Sequence, residues 1–468
     1  MHYHLIGICG TAMASLAGML QARGHRVTGS DQNVYPPMST QLEALGIEIM
    51  QGYKPEHCDT ERDCTIVGNT ISRGNAELEE VLNRKLLYRS QAEVVKEEFI
   101  RGRRSLVVAG THGKTTTTSI AAWVMEVAGF APSFLVGGIV QNFDASFRVT
   151  DSDRFIIEGD EYDTAYFDKK PKFMHYLPEI AIVGNIEFDH ADIYRDLHEI
   201  EFVFSRLMNL VPSNGRLILG YDSQVVREVA GEMMGRLYTG IETYGIYEEA
   251  KWQARELDFS GELTKFTVYK EDVKFGDFET PLIGDFNVRN CLAVIIAAHV
   301  WDVPLEKVQE ALRTFKSVKR RAEIRGVERG VTVIDDFAHH PTAVEETLKA
   351  LRTKYAGKRL IAVFEPRSWS SRLAVFQEQY ARAFGYADYV IISGVYDTSK
   401  AGSLGKTLDT DQLVADIAAK DKIAMSLPDA DAIVAHLAPE MKDGDVIAIM
   451  SNGGFGGIHE KILDVLRG

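Results

Sequence analysis

The chain has 468 residues, of which 45% are hydrophobic and 25% charged, the composition of an ordinary globular protein of about three domains. Its 52 lysines and arginines face 67 acids, and the formal net charge of −15 repels nucleic acid and anionic lipid, excluding both as general partners. Any phosphate site in such a field must be built locally, from backbone N–H groups and a few cations.

The N-terminus, MHYHLIGICG, turns apolar at once, without a basic leader, and Gly7 and Gly10 interrupt the run. It reads as a first strand and not as a signal peptide. LIGICGTAMASLAG is then strand, glycine turn and helix, and RVTGSD is a second strand ending in Asp31. A nicotinamide oxidoreductase would use this arrangement for its dinucleotide, but G-x-C-G falls short of the full G-x-G-x-x-G. The block closes at the charged stretch EVVKEEFIRGRR.

A second block opens with the strand Ser105–Ala109 and the loop AGTHGKTTTT, followed by a helix with Ile120, Val124 and Val127 on its apolar face. Strand, GKT and helix in that order mark a triphosphate site, with Lys114 on the terminal phosphates and the Thr115 hydroxyl on Mg²⁺. The usual longer spacing would put a glycine at Val108; here it is Gly110, and the loop is shorter. A plain glycine turn with a solvated lysine would explain the same letters less completely. Two further strands end in polar clusters, RFIIEGDEYD with Glu158 and IAIVG leading into NIEFDHAD with Asn185, Glu187, Asp189 and His190. Each cluster alone is more often a solvated loop, but strand ends of a parallel sheet share one crevice, which places Glu158 at Mg²⁺. Between Trp252 and Leu282 the pattern alternates, predicting a small antiparallel insertion.

The third block holds the strand Val331–Ile334 and the apolar runs RLIAVF, ADYVIIS and DVIAIMS. The expected fold is α/β in three domains: a Rossmann-like N-terminal domain (1–103), a central P-loop ATPase-type domain with a parallel sheet (104–319), and a Rossmann-like C-terminal domain (320–468). No internal repeat is visible, and a zinc reading of the adjacent His339 and His340 lacks further ligands at suitable spacing. Cys9, Cys58, Cys64 and Cys291 form no CxxC pair, and no apolar run could cross a bilayer, so a cytoplasmic protein with no membrane partner is expected.

The short loop GTHGKTTT resembles that of the Mur ligase family, ATP-dependent enzymes that add amino acids or peptides to UDP-N-acetylmuramate, and the likeness runs over essentially the whole chain. It implies ATP and Mg²⁺ as cofactors. ATP would be held by Gly110, Thr111, His112, Gly113, Lys114, Thr115 and Thr116. GDFNVRN matches the family's adenine segment at Asn287 and Asn290, with Phe286 in place of its histidine. SVKRRAEIRG supplies Arg321 for the γ-phosphate, and VIDDFAHHP supplies Asp336 for the ribose. Thr115, Glu158 and His190 would ligate metal, and Lys114, Glu158, His190 and Arg321 form the catalytic set. LHEIEFVFSRLMNL holds no lysine, so the modified lysine of some branches is not invoked.

GICGTAM, GSDQNVYPPMS and GNTISRGN look like the family's recycling branch, and imply UDP-sugar contacts at Thr11, Asp31, Ser72, Arg73 and Asn75, with Asn185 also on substrate. EPRSWSSR and MSNGGFGGIHEK resemble the same branch more than the alanine-adding one. They imply peptide contacts at Arg367, Ser368, Arg372, Ser451, Asn452 and Phe455, where an ordinary turn opening the last helix is the plainer reading of the glycines. The implied reaction joins the murein tripeptide L-Ala-γ-D-Glu-meso-diaminopimelate to UDP-N-acetylmuramate through an acyl phosphate. The alternatives are the L-alanine ligase of new wall synthesis, the oxidoreductase, and a non-catalytic nucleotide-binding regulator. The sequence carries no signal for oligomeric state.

Overall fold

The computed structural model describes residues 1–34, 38–395 and 407–468. Residues 35–37, within the GSDQNVYPPMS string, therefore lie outside the described residues. The architecture is three-domain α/β with largely parallel sheets. The chain packs as two compact units, Met1–Ile186 with His198–Gln253 and Cys291–Ala311, and Glu187–Leu197 with Ala254–Asn290 and Leu312–Gly468.

The first unit carries two sheets. One is wholly parallel, in the order Glu48–Gln51, Arg26–Asp31, His2–Ile6, Cys64–Val67, Tyr88–Ser90. That order reverses direction at the first strand, the doubly wound arrangement in which ligands sit at the carboxyl ends of strands. The charged stretch after it is helical through Ile100, and buries Val94, Val95, Phe99 and Ile100 while Glu93, Lys96, Glu97 and Glu98 are half-buried.

The other sheet runs Gly240–Gly245, Arg216–Gly220, Ile180–Val183, Arg104–Ala109, Arg154–Gly159, Ser133–Val140, with Ala145–Arg148 antiparallel at its edge. Leu106, Val107, Val108 and Ala109 are all at most 2% exposed, because helices cover both faces of a parallel sheet and the strand must be apolar throughout. Register places Ala109 level with both Val183 and Gly159, so three neighbouring strands stop on one line. Whatever follows those residues is gathered at one edge.

In the second unit the expected antiparallel insertion is the hairpin Thr264–Lys270 with Val273–Thr280. Its main sheet runs Glu323–Glu328, Val331–Asp336, Val446–Met450, Leu360–Phe364, Tyr389–Ser393, Ile423–Leu427, with only the first strand antiparallel. The two edge strands were not legible as strands, since Glu323–Glu328 and Ile423–Leu427 are half exposed and lack a continuous apolar run. Asp336 and Phe364 both align with Met450. The segments after them, 337–340, 365–372 and 451–457, are thereby brought together.

Candidate active site

In the first unit the strand Arg104–Ala109 runs through Gly110 into the helix Lys114–Val127. Gly110 has φ +140, and a Cβ there would meet the Asn185 backbone at 3.1 and 3.2 Å, so only glycine lets the loop cross the neighbouring strand end. Gly113 caps the helix in the left-handed region at φ +79. The first helical bond is Thr117 N–H to the Gly113 carbonyl at 2.9 Å, and the N–H groups before it precede the helical ladder, the arrangement that accepts anions. Thr111 to Thr115 are half-buried along this turn and Thr116 is buried.

Asn185 clamps the loop. Its backbone carbonyl accepts from Thr111 N–H at 3.0 Å, its Oδ1 accepts from His112 N–H at 2.8 Å, and its Nδ2 donates to the His112 carbonyl at 3.1 Å. The carboxamide expected to touch substrate is thus engaged with the phosphate loop.

Lys114 Nζ donates to the Gly110 carbonyl at 2.7 Å, the Thr111 carbonyl at 3.2 Å and Glu161 Oε1 at 2.8 Å. Burial works against its charge, but Glu161, Asp160 and Glu158 outweigh burial and hold the ammonium above its ordinary value. Glu158 accepts from Gly137 N–H at 2.6 Å. Asp160 is paired with Lys172 at 2.5 Å, and Lys172 and Lys114 overcome its burial to pull the carboxyl down to about 2. Of this group, sequence reading singled out Lys114 and Glu158; Glu161, Asp160 and Lys172 emerge from the fold. The run of acids in GDEYD was the available signal.

His190 lies in the second unit with φ +55. Its N–H donates to Asp189 Oδ1 at 2.7 Å and Ser370 Oγ at 3.2 Å, and Ser370 also donates to Asp189 at 2.7 Å. Burial alone would raise the Asp189 carboxyl; His190, His340 and His339 hold it well below the usual carboxylate range. Asp189 was legible only as a member of the strand-end cluster, and Ser370 was not among the expected residues. His340 caps the helix Pro341–Lys354, and Thr342 donates to Glu187 at 2.6 Å.

Arg321 lies 5.1 Å from the Phe337 ring centroid and is a charge partner of Asp336. Asp336 itself departs from expectation. Its oxygens accept from Ala322 and Ala338 N–H groups, each at 2.7 Å, and it is only 6% exposed, so the carboxylate expected on a ribose shapes its own turn. Burial pushes its carboxyl up despite these donors. Asn287 and Asn290 are bonded to each other at 3.1 Å, and Asn287 also donates to the Ile283 carbonyl at 2.8 Å.

Arg367 and Ser451 lie at neighbouring strand ends, with Asn452 next in the chain after Ser451. Ser451 Oγ donates to Glu365 at 2.5 Å, and a Cβ on Gly453 would fall on the Arg367 guanidinium. Ser368 donates to Ser371 at 2.9 Å, and Arg372 is buried against Trp369 with its guanidinium 4.3 Å from the ring centroid. Phe455 is a correction: it is 2% exposed and belongs to the apolar core, so it cannot form a wall for a peptide.

On the first sheet Thr11, Ser72 and Arg73 are exposed near strand ends. Asp31 accepts from Cys9 N–H at 2.9 Å and Asn33 N–H at 3.0 Å, which fixes the glycine turn and occupies the carboxylate a dinucleotide enzyme would offer to ribose. Arg73 is forked onto Glu79, and Asn75 caps the helix Ala76–Asn83 through Leu78 N–H at 3.0 Å. All four cysteines are free. Among the described residues no helix is long and apolar enough to cross a membrane.

The chain matches three family models, described as Mur ligase family, catalytic domain (residues 2–102), Mur ligase middle domain (108–298) and Mur ligase, glutamate ligase domain (320–453). It is 41% identical over 469 aligned positions to the UDP-N-acetylmuramate–L-alanyl-gamma-D-glutamyl-meso-2,6-diaminoheptandioate ligase of Escherichia coli (strain K12), covering 100% of this chain and 98% of that protein. To the UDP-N-acetylmuramate–L-alanine ligase of Salinibacter ruber it is 35% identical, over 86% of this chain and 82% of the other. The crystal structure of a murein peptide ligase from Psychrobacter arcticus superposes with a TM-score of 0.73 at 35% identity, covering 100% of this chain and 98% of that one. The chain belongs to the Mur ligase family.

Proposed function

We propose that this chain is an ATP-dependent ligase that joins L-Ala-γ-D-Glu-meso-diaminopimelate to UDP-N-acetylmuramate, with ADP and phosphate as products. The observation that carries the reading is the phosphate loop itself, with Lys114 bonded to Glu161 and Glu158 on the adjacent strand end, in a chain whose full-length relative bears that reaction in its name. The reaction needs ATP because a carboxylate is a poor electrophile. The sugar's lactyl carboxylate attacks the γ-phosphorus and ADP leaves; the peptide's amine then attacks the acyl carbon and phosphate leaves.

Lys114 would trade its carbonyl partners for phosphate oxygens, and Arg321 would meet charge that develops on the transferring group. Thr115 and Glu158 are oxygen donors, the set that suits Mg²⁺, which when bound supplies neutralising charge at the phosphates. His190 is the proposed ligand of a second ion, its backbone fixed by Asp189 and Ser370. An imidazole is a less usual donor to Mg²⁺ than oxygen, so this assignment rests on the family pattern. Exposed Thr11, Ser72 and Arg73 would serve the UDP-sugar, and Arg367 a peptide carboxylate through paired N–H donors.

The test is phosphate release from ATP and UDP-N-acetylmuramate with free L-alanine and the tripeptide supplied side by side. The reading requires the tripeptide to be preferred. Preference for L-alanine, which the Salinibacter relative's name makes the second reading, would replace it. Hydride transfer to a nicotinamide without phosphate release would remove the ligase assignment altogether.

A further inference from the structure

Arg320, the neighbour of the proposed γ-phosphate arginine, does something different from it. One of its terminal nitrogens, Nη2, donates to both the Ser451 carbonyl at 2.6 Å and the Gly453 carbonyl at 2.8 Å. Its Nε faces Asp335 at 3.3 Å, and its backbone N–H is held by Glu323 at 2.7 Å. The residue sits at φ +63, between Ser317 at φ +73 and Ala322 at φ +47, conformations that cost energy in residues other than glycine and persist only where surrounding contacts impose them. Asp335 has a second guanidinium, that of Arg325, 3.8 Å away.

The consequence falls on the glycine loop. In a trans peptide unit the C=O and the following N–H point in opposite directions. With the Ser451 and Gly453 carbonyls drawn to one guanidinium, the N–H groups of Asn452 and Gly454 are turned away from it. Gly453 N–H is spent on Ser451 Oγ at 2.9 Å, and that hydroxyl is spent on Glu365, so the loop cannot relax by rotating those groups. Arg367 packs where a Gly453 side chain would be. N–H groups turned from Arg320, together with a guanidinium that packs on Gly453 and lies 3.7 Å from Glu365, are donors of the kind a carboxylate takes.

We propose that Arg320 is a positioning residue for the peptide acceptor, holding the Ser451–Gly454 loop so that its Asn452 and Gly454 N–H groups and Arg367 meet an acidic group of the peptide. This rests on the peptide-ligase reading above, and specifies which part of the third sheet's edge reads the acceptor. Arg321 then acts on the nucleotide and Arg320 on the acceptor, from adjacent positions.

The experiment compares the full-length wild type with Arg320→Met, Arg320→Lys and Gly453→Ala. Two quantities are read: ADP formed from ATP and UDP-N-acetylmuramate before peptide is added, and KM for each substrate in the complete reaction. Arg320→Met should raise the peptide KM by about tenfold or more, while the KM for ATP and for the UDP-sugar stay within about twofold. Arg320→Lys should recover part of the loss, since an ammonium can still donate to a carbonyl but replaces the planar fork and lacks the Nε that faces Asp335. Gly453→Ala displaces Arg367 while leaving the Arg320 side chain and the Gly453 carbonyl it bonds chemically intact, and should give the same peptide-specific defect even if Arg320→Met fails to fold. A peptide KM within about twofold of wild type in the folded variants, or all three constants moving together, would overturn the proposal. Failure of the wild type to form ADP with the UDP-sugar would instead sink the ligase reading.

Discussion

Replacing Lys114 should damage stability as well as catalysis, and the structure says by how much. The Lys114–Glu161 contact is 2.8 Å, with the two side chains only 15% and 3% exposed. Removing one member of a buried pair typically costs about 3–5 kcal/mol, because the survivor keeps its charge without its partner. Lys114→Met takes the shared ammonium from Glu161 and Asp160, while Asp160 keeps its pair with Lys172. We expect a loss of about 3–5 kcal/mol for that variant. Glu161→Gln should cost less, about 1–3 kcal/mol, since Lys114 keeps two carbonyls and the neighbouring acids. The double variant should be more stable than the sum of the single losses, with a coupling of about 1–3 kcal/mol. Urea unfolding followed by tryptophan fluorescence would measure this, Trp123 lying on the helix that the lysine opens. Additivity within about 0.5 kcal/mol would refute the idea that the pair is one electrostatic unit. Lys114→Met and the double variant should lose phosphate release while UDP-sugar affinity holds; unchanged turnover would remove the phosphate-loop assignment.

Asn185→Ala deletes two bonds to the His112 backbone, and should raise the KM for ATP about tenfold with a stability loss of about 1–3 kcal/mol. A wild-type ATP KM would show that the loop needs no clamp. Gly110→Ala forces a Cβ against the Asn185 backbone at φ +140, and should cost about 1–3 kcal/mol and most of the ATP affinity, read by nucleotide titration. In the first sheet His4 bonds Glu77 at 2.7 Å, and His57 lies 3.1 Å from the same carboxylate. Burial lowers His4 from 6.5, and the histidine bonds lower Glu77 from 4.5 against its burial. Both groups bind fewer protons folded than unfolded, so their stabilisation is complete above pH 6.5 and is lost as the pH falls, first through His4 and then, below 4.5, through Glu77. Melting temperatures taken downward from neutral pH should decline in the wild type and less steeply in His4→Gln; parallel curves would contradict this.

Much of the fold could be read from the letters. The buried strand Arg104–Ala109, the glycine-turn helix after it and the alternating insertion each carry a period or a run that only one kind of element satisfies. The half-exposed edge strands Glu323–Glu328 and Ile423–Leu427 carry neither, and stayed invisible. Within the candidate site, Lys114 and Glu158 were legible because a phosphate loop and a strand-end acid are local features. Their partner Glu161, the Asp189–Ser370 clasp on His190 and the carbonyl grip of Arg320 were not. In GDEYD or KRRAE, adjacent like residues are equivalent as text, and which one faces inward depends on the strand end and turn that hold it.

Local chemistry alone therefore determined the α/β class and the glycine loop that joins the strand Arg104–Ala109 to the helix Lys114–Val127. Only the packed structure decided how the remaining groups are used: Asn185 on the His112 backbone, Asp31 and Asp336 on turns, Phe455 in the core, Arg320 on the Ser451 and Gly453 carbonyls. The reason is that a buried polar group must find a partner wherever the chain brings one within bonding distance, and such partners lie tens to hundreds of residues away in sequence.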